Sequence, residues 1–294
     1  MGRFGVVRIG ACQTREILGD VDAAVGVIHD FAGQADRAGV DLLLFPECFL
    51  QGYRVTEKHV RGQAFEVASP QFAAVLARLS PIRQMLVLGM IERVGGSYCN
   101  TALVIVGGRV VGRYRKTFLT GGESVFTAGD AYPVFDHAGV RFGINICYDT
   151  RFPQAAAAVA ASGAQVLLVP AQNMMRRDKA SWWQDRHNET RALRVRETGM
   201  WLVSADVTGE RDESRIGLGP TCVMTPAGDV VAQVPVGTVG MAITEIDWAE
   251  PVEHPRTSRR AECWPTSAPW SPSTLDPERF AAEECVPFTE TGNG

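Results

Sequence analysis

The stretch DLLLFPE, residues 41–47, does most to limit the folds open to this chain. It is a short, continuously apolar strand of the kind that is covered on both faces, and Pro46 stops it. Such strands belong to sheets sandwiched between other layers. Around it, residues 5–12 read as a strand. Asp20 then caps a helix with Val21, Val25, Ile28, Phe31, Ala32 and Ala35 on one stripe. A helix near 68–80, strands at 85–91 and 101–106, and a hairpin turn at Gly107-Gly108 into RVVGRYRK complete the first half.

The order then recurs. A strand at 139–147, a helix at 153–162 stopped by Gly163, the strand QVLLVP, a long helix at about 180–198, the strand MWLVSA and a hairpin around TPAGD follow in turn. No residue-level repeat links the halves. The shared order nonetheless predicts an α/β fold: each half covers one face of its own mixed sheet with helices, and the bare faces pack together as a four-layer αββα sandwich. Residues 1–250 form this domain. From 251 to 294 the composition shifts, with seven of the sixteen prolines and both Trp264 and Trp270. This segment reads as an extended tail that drapes over its own domain or a partner subunit.

A chain of 294 residues, 46% apolar, can bury one large core, and its net charge of −4 with both signs interspersed excludes a nucleic-acid footprint or a basic membrane face. The apolar run at the start is too short for a signal peptide, and no stretch is long enough to span a bilayer. Seven scattered cysteines without a CxxC pair give no zinc or dithiol signature, and a reducing, cytoplasmic setting is expected. The sequon at Asn188 is read as chance.

Chemistry is concentrated at strand ends, where α/β folds collect reactive groups. Glu47, Lys116 and Cys147 all fall at such positions. In VRFGINIC, Val140, Phe142, Ile144 and Ile146 alternate with Arg141, Gly143, Asn145 and Cys147, so period two sets the thiol opposite the core face. A carboxylate can take the thiol's proton and return it to a leaving amine, and a lysine ammonium can hold the oxyanion. The backbone N–H after the cysteine, that of Tyr148, adds a second donor.

FPECFLQGY, YRKTFL, GGESVFTAGD and GINICYDTRFP, in this order and spacing, resemble the nitrilase superfamily of carbon–nitrogen hydrolases over roughly residues 5–248. The resemblance implies the αββα sandwich, with Glu47 as general base and acid, Lys116 as oxyanion-stabilising lysine and Cys147 as nucleophile. Glu123 would be a second glutamate that positions substrate and lysine. Nitrile-cleaving members usually carry Trp-Glu after the cysteine. Tyr148-Asp149 here resembles the amidase branches instead, and the implied substrate is a small carboxamide or carbamoyl compound. Homodimers or larger assemblies are implied, and no cofactor or metal is.

Other readings compete. The same thioester could pass to an amine, making an acyltransferase, and a catalytically silent interaction protein is the reading from another class. A Cys–His dyad is a further possibility, but none of His29, His59, His137, His187 and His254 sits in a motif that fixes it beside Cys147. His187 reads as part of a charged helix face in solvent. Trp182 and Trp183 read as packing or pocket-rim residues, and Arg151 as either an ion-pair partner of the loop after Cys147 or a surface charge. Cys12, Cys99 and Cys222 read as strand fillers, and Cys48 has no matching role.

Overall fold

The computed structural model describes residues 6–247. The first half runs β1 (Val6–Arg15), α1 (Val21–Ala38), β2 (Leu42–Leu44), α2 (Glu57–Gln63), α3 (Pro70–Leu79), β3 (Met85–Val94), β4 (Ser97–Val106) and β5 (Arg109–Arg115). The second begins with β6 (Val134–His137), β7 (Val140–Ile144), a 3-10 turn (Cys147–Arg151), α4 (Pro153–Ala161), β8 (Val166–Pro170), β9 (Met174–Arg176) and α5 (Arg177–Thr198). It continues through β10 (Trp201–Ala205), β11 (Val207–Glu210), β12 (Arg215–Leu218), β13 (Cys222–Met224), β14 (Val230–Gln233) and β15 (Gly240–Asp247). Local chemistry sets the helix ends. Asp20 accepts from Ala23 N–H at 2.9 Å, and Ser69 caps α3 with Pro70 in its first turn. The Pro-rich segment 251–294 lies outside the described residues.

Three cores separate four layers. Val25, Ile28 and Phe31 of α1 and Phe72 of α3 pack on the outer face of the first sheet with Leu43, Leu86 and Leu103. Between the sheets lie Ile9, Leu44, Val87 and Val104 from one side and Phe142, Ile144, Leu168 and Val203 from the other. Val159 of α4 and Val195 of α5 cover the outer face of the second sheet against Leu167 and Leu202. The fold is therefore α/β, two mixed sheets flanked by helices.

Sheet membership departs from the half-by-half expectation. The second half supplies the six-stranded sheet β14-β13-β10-β8-β7-β6, yet it also sends strands into the first. β15 pairs antiparallel with β1 along its length, from Val6↔Asp247 to Gln13↔Gly240. Beyond it, Thr14 and Arg15 pair with β11, which leads to β12 and β9. β1 needs this cover because Val7, Ile9 and Ala11 are buried and its free edge would otherwise be an unpaired ladder.

Candidate active site

Glu47 sits three residues past β2, in a turn pressed against β3. A Cβ on Gly89 would stand 2.3 Å from Pro46 O and 2.5 Å from Cys48 N, so only glycine lets the turn lie this close. The turn also crosses to the other sheet, Glu47 N–H donating to Ala171 O at 3.2 Å. Lys116 follows β5 directly, its N–H donating to Asn100 O at 2.9 Å. Its Nζ donates to Glu47 Oε1 at 2.8 Å and to both Glu123 oxygens at 2.9 Å. All three side chains are almost wholly buried.

Asn100, in the middle of β4, ties the group together. Its Nδ2 donates to Glu47 Oε1 at 2.7 Å and to Glu123 Oε1 at 3.1 Å, while the Cys48 thiol donates to its Oδ1 at 3.4 Å. The Cys48 contact fixes which end of the amide faces the carboxylates. Burial pushes Glu47 up to about 7, with Glu123 adding to the rise against the pull of Lys116 and Asn100. Glu123 is buried too, but Lys116 and the Thr120 N–H hold it below the usual carboxylate range. Burial opposes the Lys116 charge, and the two carboxylates nevertheless keep its pKa well above the ordinary value.

Cys147 is placed otherwise than alternation implies. β7 ends at Ile144, and Cys147 opens the 3-10 turn with φ of 44°, a left-handed conformation costly for a side-chain-bearing residue. Val140, Phe142, Ile144 and Ile146 do face the inter-sheet core as read, but Cys147 packs against the edge of that same core. The cause is Asp149. Its Oδ2 accepts from Ile146 N–H at 2.7 Å and bends the chain out of extended geometry. The same carboxylate accepts from Tyr114 O–H at 2.8 Å, Thr117 N–H at 3.2 Å and Phe118 N–H at 2.8 Å, so it joins the cysteine turn to the segment after Lys116. The Cys147 Sγ lies 3.7 Å from Asn173 Oδ1. Asn173 N–H in turn donates to Asp206 at 2.8 Å, and Asp206 is paired with Arg191 at 3.4 Å. Burial, then Glu47, pushes the Cys147 thiol well above its ordinary value, so it rests protonated.

Glu47, Lys116, Cys147 and Tyr148 line one cavity of about 1210 Å³. His187 lines it too, contrary to the solvent-face reading, because α5 packs against α4, β9, β12 and the 3-10 turn of Cys147 rather than lying free. Its ring stacks on Trp183 at 5.4 Å and 20°, and its buried Nε2 has no hydrogen-bond partner among the described residues. Burial and the nearby Arg191 and Arg151 push it down to about 3, which leaves it neutral. Trp183 is buried at the cavity wall, and Trp182 is exposed. Arg151 places its guanidinium 4.5 Å from the Trp183 ring centre. Cys12, Cys99 and Cys222 are buried in strands. Among the described residues, no group of three or more His, Cys, Asp or Glu side chains is arranged to hold a metal ion, and no helix is long and apolar enough to cross a membrane.

The sequence reading missed Asn100, Asn173 and Asp206 and left Asp149 open. A polar residue inside the apolar run YCNTALVIV was the signal for Asn100, and a carboxylate at the end of MWLVSAD was that for Asp206.

A two-sheet αββα fold with a thiol beside a buried carboxylate–ammonium–carboxylate cluster defines a class of cysteine-dependent hydrolases. The family model for carbon–nitrogen hydrolases matches residues 8–253, and the chain belongs to that family, the nitrilase superfamily, whose members act through an active-site cysteine. It is 31% identical over 219 residues to an (R)-stereoselective amidase of Pseudomonas sp, covering 72% of this chain and 76% of that one. It is also 31% identical to a glutamine-dependent NAD(+) synthetase of Rhodobacter capsulatus, over 69% of this chain but only 37% of that protein's length. An amidase from Nesterenkonia sp. superposes with a TM-score of 0.71 at 26% identity, over 84% of this chain and 92% of that one. One mutant of that amidase shows Michael addition of acrylamide at its active-site cysteine, and another is in complex with butyramide.

Proposed function

We propose that this protein is an amidase that cleaves the C–N bond of a small carboxamide or carbamoyl compound through a thioester on Cys147. The observation that carries this reading is the unequal use of Glu47. Its Oε1 is taken by Lys116 and Asn100, whereas Oε2 has no protein hydrogen bond among the described residues and is left for proton transfer. With its pKa near 7, the carboxyl group can both accept and return a proton at neutral pH.

Glu47 takes the thiol proton as Cys147 Sγ bonds to the amide carbon. The oxyanion lies between Lys116 Nζ and the Tyr148 N–H. The C–N bond then breaks, Glu47 hands its proton to the departing nitrogen, and ammonia or an amine leaves an acyl group on sulfur. Water attacks the thioester, Glu47 accepts its proton, and the acid departs as the thiol is restored. Of the two roles open to Glu123, orienting the amide nitrogen or Lys116, its buried contacts favour holding Lys116. Each step uses a residue of the chain, so the reaction calls for no cofactor. Tyr148-Asp149 in place of Trp-Glu and the amidase relatives favour amides over nitriles.

Ammonia release from a panel of aliphatic amides, with the intact protein weighed for acyl adducts, tests the reading. Glu47→Gln should lower kcat/KM by about 10²–10⁴, and Cys147→Ala should show neither turnover nor adduct. Undiminished turnover by Cys147→Ala would sink the assignment. Added amine should leave the product as free acid; an amide product would indicate acyl transfer.

A further inference from the structure

The side-chain amide of Asn173 has its orientation set by what lies behind it. Its N–H and its Nδ2 both donate to the Asp206 carboxylate, which also accepts from Val207 N–H at 2.9 Å and from Arg191 Nη2 at 3.4 Å. All of these partners are donors, so Asp206 acts as an acceptor alone and the Asn173 amide fits one way round, Nδ2 toward the carboxylate and Oδ1 away from it. Arg191 is fixed in turn, donating to Pro220 O at 2.7 Å. The oxygen turned away meets the Cys147 thiol at 3.7 Å, and this is its only hydrogen bond among the described residues.

The thiol therefore points its proton at an amide oxygen and, among the described residues, makes no hydrogen bond to Glu47, the base that must take that proton. Asn173 lines the same cavity as Glu47, Lys116 and Cys147, so its amide borders the space where a reacting amide lies. An S–H group is a weak donor and an amide N–H a strong one. An amide carbon that approaches the sulfur brings its nitrogen, one bond away, toward the oxygen that rests on the same sulfur. There the N–H is the better partner for Oδ1.

We propose that Asn173 is a further catalytic residue: its Oδ1 holds the Cys147 S–H in the resting enzyme and exchanges it for an N–H of the bound amide, which releases the thiol to turn toward Glu47. This rests on the amidase reading of the cavity. The S–H bond then breaks and an O–H bond forms on Glu47 as the sulfur electron pair bonds to the carbonyl carbon. The Gln172 N–H, which donates to the sulfur, stays in place to hold the thiolate. Activation is thereby tied to a ligand that carries an N–H, and Glu47 receives the proton only when a nitrogen is present to take it on.

Alkylation of the full chain by iodoacetamide and by methyl iodoacetate, which lacks the N–H, tests the proposal. Each rate is divided by the same reagent's rate with glutathione, and peptide mass locates the label on Cys147. The wild-type protein should favour iodoacetamide by about three- to tenfold, the worth of one hydrogen bond. Asn173→Leu, which keeps the size and removes the acceptor, should abolish that preference by speeding the reaction with methyl iodoacetate, while kcat/KM for amides falls. Asn173→Gln, with the same amide on a longer stem, should keep part of the preference. Circular dichroism confirms that both variants fold. Equal normalised rates in the wild type, a preference unchanged in Asn173→Leu, or an equal slowing of both reagents in that variant would overturn the assignment. The wild-type comparison decides even where a variant fails to fold. A preference for iodoacetamide in a protein that releases ammonia from no amide would support the role of Asn173 and remove the amidase reading. Ammonia release without any preference between the reagents would do the reverse.

Discussion

At the scale of single residues, the site turns on how one carboxyl group is held. Glu47 can act as base only when ionised, so kcat/KM should rise with pH and level off above about 7, the value at which it titrates. Asn100 donates to the ionised form and holds that value down. Asn100→Leu should therefore move the rising limb to higher pH as well as lower the plateau, as pH–rate profiles of both proteins would show; a lower plateau with an unmoved limb would mean that Asn100 only supports the fold. Glu47, Lys116 and Cys147 could be singled out in the sequence because each follows a readable strand with a chemically distinct group, although the structure ends β2 and β7 before Glu47 and Cys147. Asn100 could not, because its meaning depends on which carboxylates the folded chain brings across from it. His187 was misread for the same kind of reason: charge around a helix says nothing of the elements that pack on it.

At the scale of elements, turns matter more than the strands they end. Gly89 admits the Glu47 turn, so Gly89→Ala must displace Pro46 and Cys48, neither of which is a flexible side-chain tip. A loss of about 1–3 kcal/mol in stability is expected, together with a fall in kcat that exceeds what the melting temperature alone would suggest. Asp149→Ala should be harsher, since it strands the buried donors of Tyr114, Thr117, Phe118 and Ile146. A drop of about 3–5 kcal/mol in urea-unfolding free energy would agree with that count of lost partners. The positions of helices and most strands were readable from periodicity and caps. The end of β7 was not, because a side chain five residues beyond its last strand residue decides where extended geometry stops.

At the scale of the molecule, the two sheets are held by a shared apolar layer. Phe142→Ala, deep within it, should cost about 3–5 kcal/mol, measurable by denaturant titration, without moving the pH limb of activity. The sandwich itself was legible from doubly buried strands and one-faced helices. The traffic of strands between halves was not, because short strands choose partners by register and burial rather than by nearness in sequence. That traffic has a consequence in time. The strand that shields β1 is β15, so Val6 waits for Asp247 before its ladder is whole. During synthesis on the ribosome, the first half emerges with an open edge, and the site's supporting sheet reaches its final form only after nearly all the described chain has been made. A chain ending before Gly240 should accumulate as aggregate, however complete its set of Glu47, Lys116, Glu123 and Cys147.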